Sequence, residues 1–294
     1  MSHSQTSTRT IIRAPMAEDK ERFYQVYNTG LPNVDEIAPD RFSKWWETST
    51  NNGDLEKLWR VAVLENQIVG VVINAISEPL KWGMVWELAV IPKHRNQGIG
   101  TRLIKESERL LLKNGGGITH FAIGVKTDNA RAFSLYEKLG YGVQFLVLRL
   151  RGKVWKPEKA LPVLVHDADV RYAGRLSRLV SNAYWSTRTK DTWRRLISMG
   201  DWRVLTTRNE SKIIGAVSLS EDKKTGSTEV SFSAERGFGI SVLDAASHLV
   251  KTKRIDLWVQ DDHQDILEYV YCRGLKRIDS EYLLKKPIVK ATVR

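Results

Sequence analysis

Glu87-Leu88-Ala89-Val90-Ile91-Pro92-Lys93-His94-Arg95-Asn96-Gln97-Gly98-Ile99-Gly100-Thr101 decides the fold, because it reads as a strand running through a glycine-rich turn into a helix. Gly98 and Gly100 have no Cβ, so the chain can turn tightly there with successive backbone N–H groups exposed. The new helix points the positive end of its dipole at the same spot. Such a turn is an anion cradle of a size suited to a pyrophosphate. It is not a Walker loop, since Gly100 is followed by Thr101 and Arg102 and not by Lys and Ser or Thr. Nor does it carry the three spaced glycines of a dinucleotide fingerprint.

Downstream, Asp128-Asn129-Ala130-Arg131-Ala132-Phe133-Ser134-Leu135-Tyr136-Glu137-Lys138-Leu139-Gly140-Tyr141 reads as an amphipathic helix capped by Asn129 and ended by Gly140. It follows a strand, Thr119 to Val125, which itself follows the helix begun by the anion turn. The pattern Arg-x-x-Gly-x-Gly after a Leu-Ala-Val strand and a proline, with this second helix in its expected place, resembles the GNAT superfamily of acyl-CoA N-acyltransferases. The resemblance implies pyrophosphate contacts from Arg95, Asn96, Gln97, Gly98, Ile99, Gly100 and Thr101. It implies contacts to the pantetheine arm from the main chain around Leu88 and Val90, where a bulged strand would splay from its neighbour.

The 294 residues are enough for two domains of roughly 150 residues each. No run of about 18 apolar residues could span a bilayer, and the polar start lacks the apolar core of a secretion signal. The single cysteine, Cys272, has no internal partner for a disulfide, which fits a reducing cytoplasm. The net charge of +12 is uneven: 19 Lys and Arg against 16 Asp and Glu leave +3 in residues 1–150, so +9 lies in the remainder. With acidic residues interspersed and no long basic block, this reads as a solvated surface more readily than as a nucleic-acid footprint.

Strands at Thr10–Ala14, Leu58–Leu64, Gln67–Ile76, Met84–Val90 and Thr119–Val125, closing strand material at Gly142–Leu150, and helices near Ala17–Tyr27, Pro39–Glu47, Ile99–Leu112 and Asn129–Leu139 predict a mixed α/β sheet covered by helices. Residues 1–9 read as a flexible tail, 10–150 as the catalytic domain and 151–160 as a charged linker. Residues 161–294 repeat the order: a strand at Leu161–Val165, helices at Val170–Tyr184 and Asp191–Met199, and strands at Trp202–Thr207, Ile213–Leu219 and Thr228–Ser233. A helix near Ile240–Lys251, a strand at Ile255–Val259 and a helix from about Asp262 complete the series. The chain is thus expected to hold two tandem GNAT-like domains.

Aligning Gly274 with Gly140 sets an offset of 134 that puts Asp262 against Asp128, His263 against Asn129 and Val270 against Tyr136. The turn Ala234-Glu235-Arg236-Gly237-Phe238-Gly239-Ile240 is too short for the cradle, and Glu235 brings negative charge to it. No acetyl-CoA is expected there, so the second domain is expected to be degenerate.

Acyl transfer from a thioester to an amine needs a held coenzyme, a deprotonated amine and a proton for the departing thiolate. Tyr136 matches the family position that protonates the sulfur. A phenol of ordinary pKa ~10 suits that task, and the inward face of a helix equally suits a core tyrosine. Glu87, a carboxylate on a mostly apolar strand, has three readings: a base acting through water, an acceptor ligand, or half of an ion pair. Asn129 caps its helix, a role compatible with coenzyme contact. His94 and His120 read as exposed. No His, Cys and carboxylate cluster has metal-site spacing.

The acceptor side is expected between Thr29 and Trp46, where Asp35, Glu36, Asp40, Trp45 and Trp46 could meet an ammonium by charge and cation–π contact. Asp40 could equally cap a helix, and the tryptophans could pack the core. The expected activity is transfer of an acetyl group from acetyl-CoA to a primary amine, with an acyl-CoA sensor as the alternative. Expected partners are the coenzyme and an amine, without membrane or metal.

Overall fold

The computed structural model describes residues 10–31, 36–157, 163–183, 187–198, 200, 202–207, 211–222 and 225–289. The expected tail at 1–9, Asp35, residues 158–162, Tyr184 and Met199 lie outside them. The chain divides into two compact units, residues 1–143 with 284–294, and residues 144–283. The fold class is the mixed α/β one read from the sequence.

Unit 1 begins with β1 (Ile11–Arg13), α1 (Lys20–Gly30), α2 (Pro39–Asn51), α3 (Asp54–Leu58), β2 (Arg60–Leu64), β3 (Gln67–Ser77) and β4 (Trp82–Val90). It continues with α4 (Ile99–Asn114), β5 (His120–Lys126) and α5 (Ala130–Lys138). Strands β1 to β5 lie side by side in chain order; β1 to β4 are antiparallel and β4–β5 is parallel. α1 forms because Phe23, Val26, Tyr27 and Gly30 recur at helical spacing and bury one face. α2 opens on Pro39 at its first turn and buries Phe42, Trp46 and Ser49 in the same way. α4 lies close over the sheet because Gly70 is bare: a Cβ there would stand 3.1 Å from Leu103 and 3.2 Å from Ile99.

Unit 2 comprises most of β6 (Gly142–Lys153), then β7 (Val163–Asp167), α6 (Ala173–Leu176), β8 (Val180–Ser181), α7 (Lys190–Ser198), β9 (Trp202–Thr207), β10 (Ile213–Asp222) and β11 (Ser227–Ala234). After these come α8 (Gly239–Leu249), β12 (Arg254–Gln260), α9 (Gln264–Cys272) and most of β13 (Lys276–Pro287). Its strands run in the order β6, β12, β11, β10, β9, β7, and β8 pairs separately with β11. One apolar cluster gathers residues of β6, β10, β11, β12, α8 and α9, and a second centres on Trp193 and Trp202, whose rings stand 4.8 Å apart edge to face.

Several expectations are corrected. α3 went unread because five residues are too few to show a period. The helix expected over Val170–Tyr184 is a 3-10 turn at Val170–Tyr172, the short α6, and then strand β8. The charged stretch from Arg151 is no linker at its start, since β6 runs to Lys153. Its arginines look solvent-bound in sequence, yet Arg151 makes a bidentate pair of 2.6 Å contacts with Asp256, which is 1% exposed, and Arg149 adds a third contact at 3.3 Å. β13 was not foreseen. The unit boundaries also differ from those expected at 150 and 161, because the last residues of the chain return to unit 1. There Ile288 N–H donates to the Thr119 carbonyl at 3.0 Å, and Lys286 Nζ reaches both oxygens of Glu108 at 2.9 and 3.0 Å.

Candidate active site

β4 keeps its pairing with β3 as far as Val90, opposite Gly70, but pairs with β5 only from Trp82 to Val85, opposite His120 to Ile123. Beyond Val85 the two parallel strands part. The register with β3 also slips there: Val85 faces Asn74 and Glu87 faces Ile73, so Trp86 is the extra residue of a bulge. Bulge and splay leave Glu87, Leu88 and Val90 partly accessible at the strand end.

The turn that follows has the backbone of an anion cradle. Asn96 and Gly98 take the left-handed conformation, with φ of 63° and 75°. Gly98 is the N-cap of the 16-residue α4, no side chain caps that helix, and its first turn carries no acidic residue. The first helical bond is Arg102 N–H to the Gly98 carbonyl at 3.1 Å, so the N–H groups of Ile99, Gly100 and Thr101 precede it and open outward. They face a cleft of about 390 Å³ lined by Leu88 and Val90 of β4, by the turn, and by Asn129, Ala132 and Leu135 of α5. A Cβ at Gly98 would meet nothing within 4 Å, whereas one at Gly100 would stand 3.3 Å from Leu135 Cδ2. Leu88, Val90, Arg95, Asn96, Gly98, Ile99, Gly100, Thr101 and Asn129 therefore meet at one cleft. Gln97 does not line it, and its side chain turns back to the Lys93 carbonyl at 3.4 Å.

Arg95 plays a part the sequence did not suggest. Its guanidinium donates to the carbonyls of Val90 at 2.9 Å and Gly30 at 3.3 Å, tying the strand end to the end of α1. Burial, and then the like charge of Arg131, hold it below the usual arginine range. The cations that sequence reading missed are Arg131, which donates to Asn96 Oδ1 at 2.7 Å, and Lys138; both line the cleft from α5. Their signal, basic residues recurring along one helix, looked like an ordinary solvated face. His94 lines the cleft too, half-buried and not exposed as expected. Asn129 caps α5, its Oδ1 accepting from Ala132 N–H at 3.1 Å.

Tyr136 is 5% exposed and stands outside the cleft lining, its ring 6.3 Å from that of Tyr141. Burial, and secondly the charge of Glu87, raise its pKa well above the ordinary phenol value, so it is protonated at any neutral pH. Tyr27 of α1, also 5% exposed, is raised likewise by burial, then by the charge of Glu87 and a hydrogen bond to it. The Glu87 charge thus acts on two buried phenols, and one of them, Tyr27, is hydrogen-bonded to it. His120 is elsewhere: it opens β5 opposite Trp82, Thr119 Oγ1 is 2.9 Å from its Nδ1, and burial followed by the Lys285 charge lowers its pKa.

On the acceptor side, Glu36 and Asp40 are exposed. Asp40 is not the cap of α2, since Ala38 holds that position and Asp40 lies in the first turn. Trp46 is a core residue, 5% exposed and 5.6 Å from Phe23, while Trp45 meets Tyr27 edge to face at 6.0 Å and remains partly accessible. Among the described residues no group of three His, Cys, Asp or Glu is placed to hold a metal ion, and no helix is long and apolar enough to cross a membrane.

Unit 2 repeats part of this backbone pattern. α9 follows α5 at the offset of 134: His263 holds its N-cap position, without a capping side-chain bond, at φ −93°, ψ 61° against −89°, 61° for Asn129, and Gly274 and Gly140 have φ of 80° and 87°. Leu275 N–H bonds to the Val270 carbonyl at 3.1 Å as Tyr141 N–H does to that of Tyr136 at 3.0 Å. The same strand-end bond marks both turns, Ile91 N–H to Val69 and Glu235 N–H to Ile214, yet α4 starts only at Ile99 whereas α8 starts already at Gly239. The turn is shorter, and Glu235 pairs with Lys212 at 2.8 Å.

β11 and β12 part after Val230 and Leu257, as β4 and β5 do, but here the gap is filled. Val180 and Ser181 pair with Ala234 and Ser233. Asn182, 3% exposed, bonds to Phe232 on one side and to the Trp258 carbonyl (2.5 Å) and Gln260 N–H (3.1 Å) on the other.

Residues 20–141 match the acetyltransferase (GNAT) family. They form a GNAT acetyltransferase domain. The chain is 25% identical over 139 residues to an N-alpha-acetyltransferase of Sulfurisphaera tokodaii, covering 42% of this chain and 82% of that one. It is 23% identical over 141 residues to the N-alpha-acetyltransferase of Saccharolobus solfataricus, covering 42% and 83%. In fold the full length resembles a GCN5-related N-acetyltransferase from Sphaerobacter thermophilus, with a TM-score of 0.67, 16% identity and 96% of each chain covered. It also resembles a tandem GNAT protein from the clavulanic acid biosynthesis pathway, with a TM-score of 0.66, 13% identity and coverage of 96% and 100%. The chain is an acyltransferase, and the family to which its domain belongs uses acetyl-CoA as donor.

Proposed function

We propose that unit 1 transfers an acetyl group from acetyl-CoA to a primary amine by direct attack within a ternary complex. The observation that carries this is the uncapped N-terminus of α4, facing a cleft at the end of a strand that has parted from its parallel neighbour. The pyrophosphate lies against the N–H groups from Asn96 to Thr101, where helix dipole and open donors favour an anion. The pantetheine arm runs along Leu88 and Val90, whose main chain β5 does not pair. Glu87 accepts the ammonium proton, directly or through water, and the amine attacks the thioester carbonyl. As the C–S bond breaks, Tyr136, held neutral by burial, gives its proton to the sulfur, and the second proton shed by the new amide nitrogen restores the phenol, so that Glu87 keeps the one net proton released.

The acceptor approaches past Tyr27 and Trp45. Two of the relatives are N-alpha-acetyltransferases by name, which puts peptide N-termini first among candidate acceptors, ahead of lysines, amino acids and small amines. Unit 2 serves as a degenerate copy: the short turn, Val270 in place of the phenol and the filled strand gap all argue against coenzyme there. The test follows thiol release from acetyl-CoA across a panel of peptides and small amines, with mass spectrometry of the acceptor. Release that depends on an amine, with acetyl found on its nitrogen, is expected. Coenzyme binding without release for any amine class would refute transfer.

A further inference from the structure

Tyr27 stands among rings, 6.5 Å from Phe42 and 6.0 Å from Trp45, where a phenylalanine would pack as well. A buried hydroxyl needs a partner, and this one has the Glu87 carboxylate. The backbone explains the meeting. The end of α1 is pressed on β4 so closely that a Cβ at Gly30 would stand 2.7 Å from Ala89 Cβ and 3.1 Å from Val90 N. Tyr27 lies three residues from Gly30, about 4.5 Å along the helix, and Glu87 two residues from Ala89, about 6.6 Å along the strand, offsets that the lengths of a phenol and a carboxylate side chain together can bridge. The bulge at Trp86 breaks the strand's alternation immediately before Glu87, so the strand alone does not fix the carboxylate's direction.

We infer that Tyr27 is a positioning residue that orients the Glu87 carboxylate toward the acceptor amine and holds it in its charged, proton-accepting form; this rests on reading Glu87 as the base. Among the described residues, Tyr136 of α5 feels the Glu87 charge, Arg41 of α2 acts on Tyr27, and the backbone partner of Glu87 on β3 is the apolar Ile73. A hydrogen bond donated to a carboxylate favours its ionised state, so removing the hydroxyl makes Glu87 easier to protonate.

The experiment measures kcat/KM against pH for the full chain and for Tyr27→Phe, Glu87→Gln, the double variant and Phe42→Leu, with acetyl-CoA affinity for each. Tyr27→Phe is expected to lower kcat/KM about 10-fold, to move the acidic limb up by about one pH unit and to leave acetyl-CoA affinity unchanged. In the Glu87→Gln background the same change is expected to do nothing further. Phe42→Leu disturbs the same cluster without touching the hydrogen bond, and its acidic limb is expected to stay in place. An unmoved limb in Tyr27→Phe, an equal loss in the Glu87→Gln background, or a limb that moves as far in Phe42→Leu would overturn the inference. Full activity of Glu87→Gln would instead remove the base on which it stands.

Discussion

Gly98 offers the sharpest point of attack on the coenzyme site, because its backbone and its surroundings predict different costs. Its φ of 75° lies in the left-handed region, where an L side chain loses roughly 1–2 kcal/mol and a β-branched one more. Space is no obstacle, since a Cβ meets nothing within 4 Å. Gly98→Val should therefore fold, with a melting temperature lowered by roughly 3–8 °C for a unit of this size. Its effect on binding should be far larger. Relaxing φ turns the N–H groups of Gly98 and Ile99 away from the cleft, and two charge-assisted hydrogen bonds at about 1.5–3 kcal/mol each correspond to roughly 10²–10⁴-fold in Kd. Calorimetric titration with acetyl-CoA, beside a thermal melt, reads both quantities. A folded Gly98→Val protein that binds acetyl-CoA as tightly as the parent would refute the cradle. Gly100 is the contrast: its φ is ordinary, and a Cβ there crowds only Leu135, so Gly100→Ala should weaken binding less than Gly98→Val does.

Tyr136→Phe removes the proposed proton donor while keeping the ring, so kcat should fall on the order of 10²-fold with acetyl-CoA affinity unchanged; a fully active Phe variant would reduce Tyr136 to packing. Lys286→Met strips Glu108, whose side chain is 17% exposed, of its cation and leaves it the Tyr141 hydroxyl at 3.0 Å. Chemical denaturation should show unit 1 weakened by about 1–3 kcal/mol; no change would mean that the C-terminal return contributes little. Asn182→Ala removes the side-chain bonds to the Trp258 carbonyl and Phe232 N–H while keeping the backbone ones, and should destabilise unit 2 without creating a second coenzyme site; a thermal melt and an acetyl-CoA titration of that variant check the two.

The cradle was legible in sequence because glycine spacing and a strand-to-helix change are local signals, and α5 because its cap and terminator are local too. What escaped was set by distant contacts. Tyr27 reads as one more apolar residue on an amphipathic helix, and its bond to Glu87 depends on how closely Gly30 lets α1 approach β4. Arg95 reads as part of the pyrophosphate turn, and nothing local in the sequence shows that its guanidinium bonds the carbonyls of Val90 and Gly30. The β8 segment looked helical, but Asn182 has hydrogen-bonding partners on two strands that no local window contains. The return of residues 284–294 to unit 1 left no mark in composition, because Lys285 and Lys286 resemble any charged strand end.

The most direct measurement is the stoichiometry of acetyl-CoA binding to the full chain by calorimetry, repeated with Gly98→Val and with Gly237 and Gly239 both replaced. One coenzyme per chain is predicted, lost with Gly98→Val and kept when the unit 2 turn is altered. Two coenzymes per chain, or one that survives Gly98→Val and disappears with the unit 2 turn, would contradict the assignment of the active site to the α4 turn.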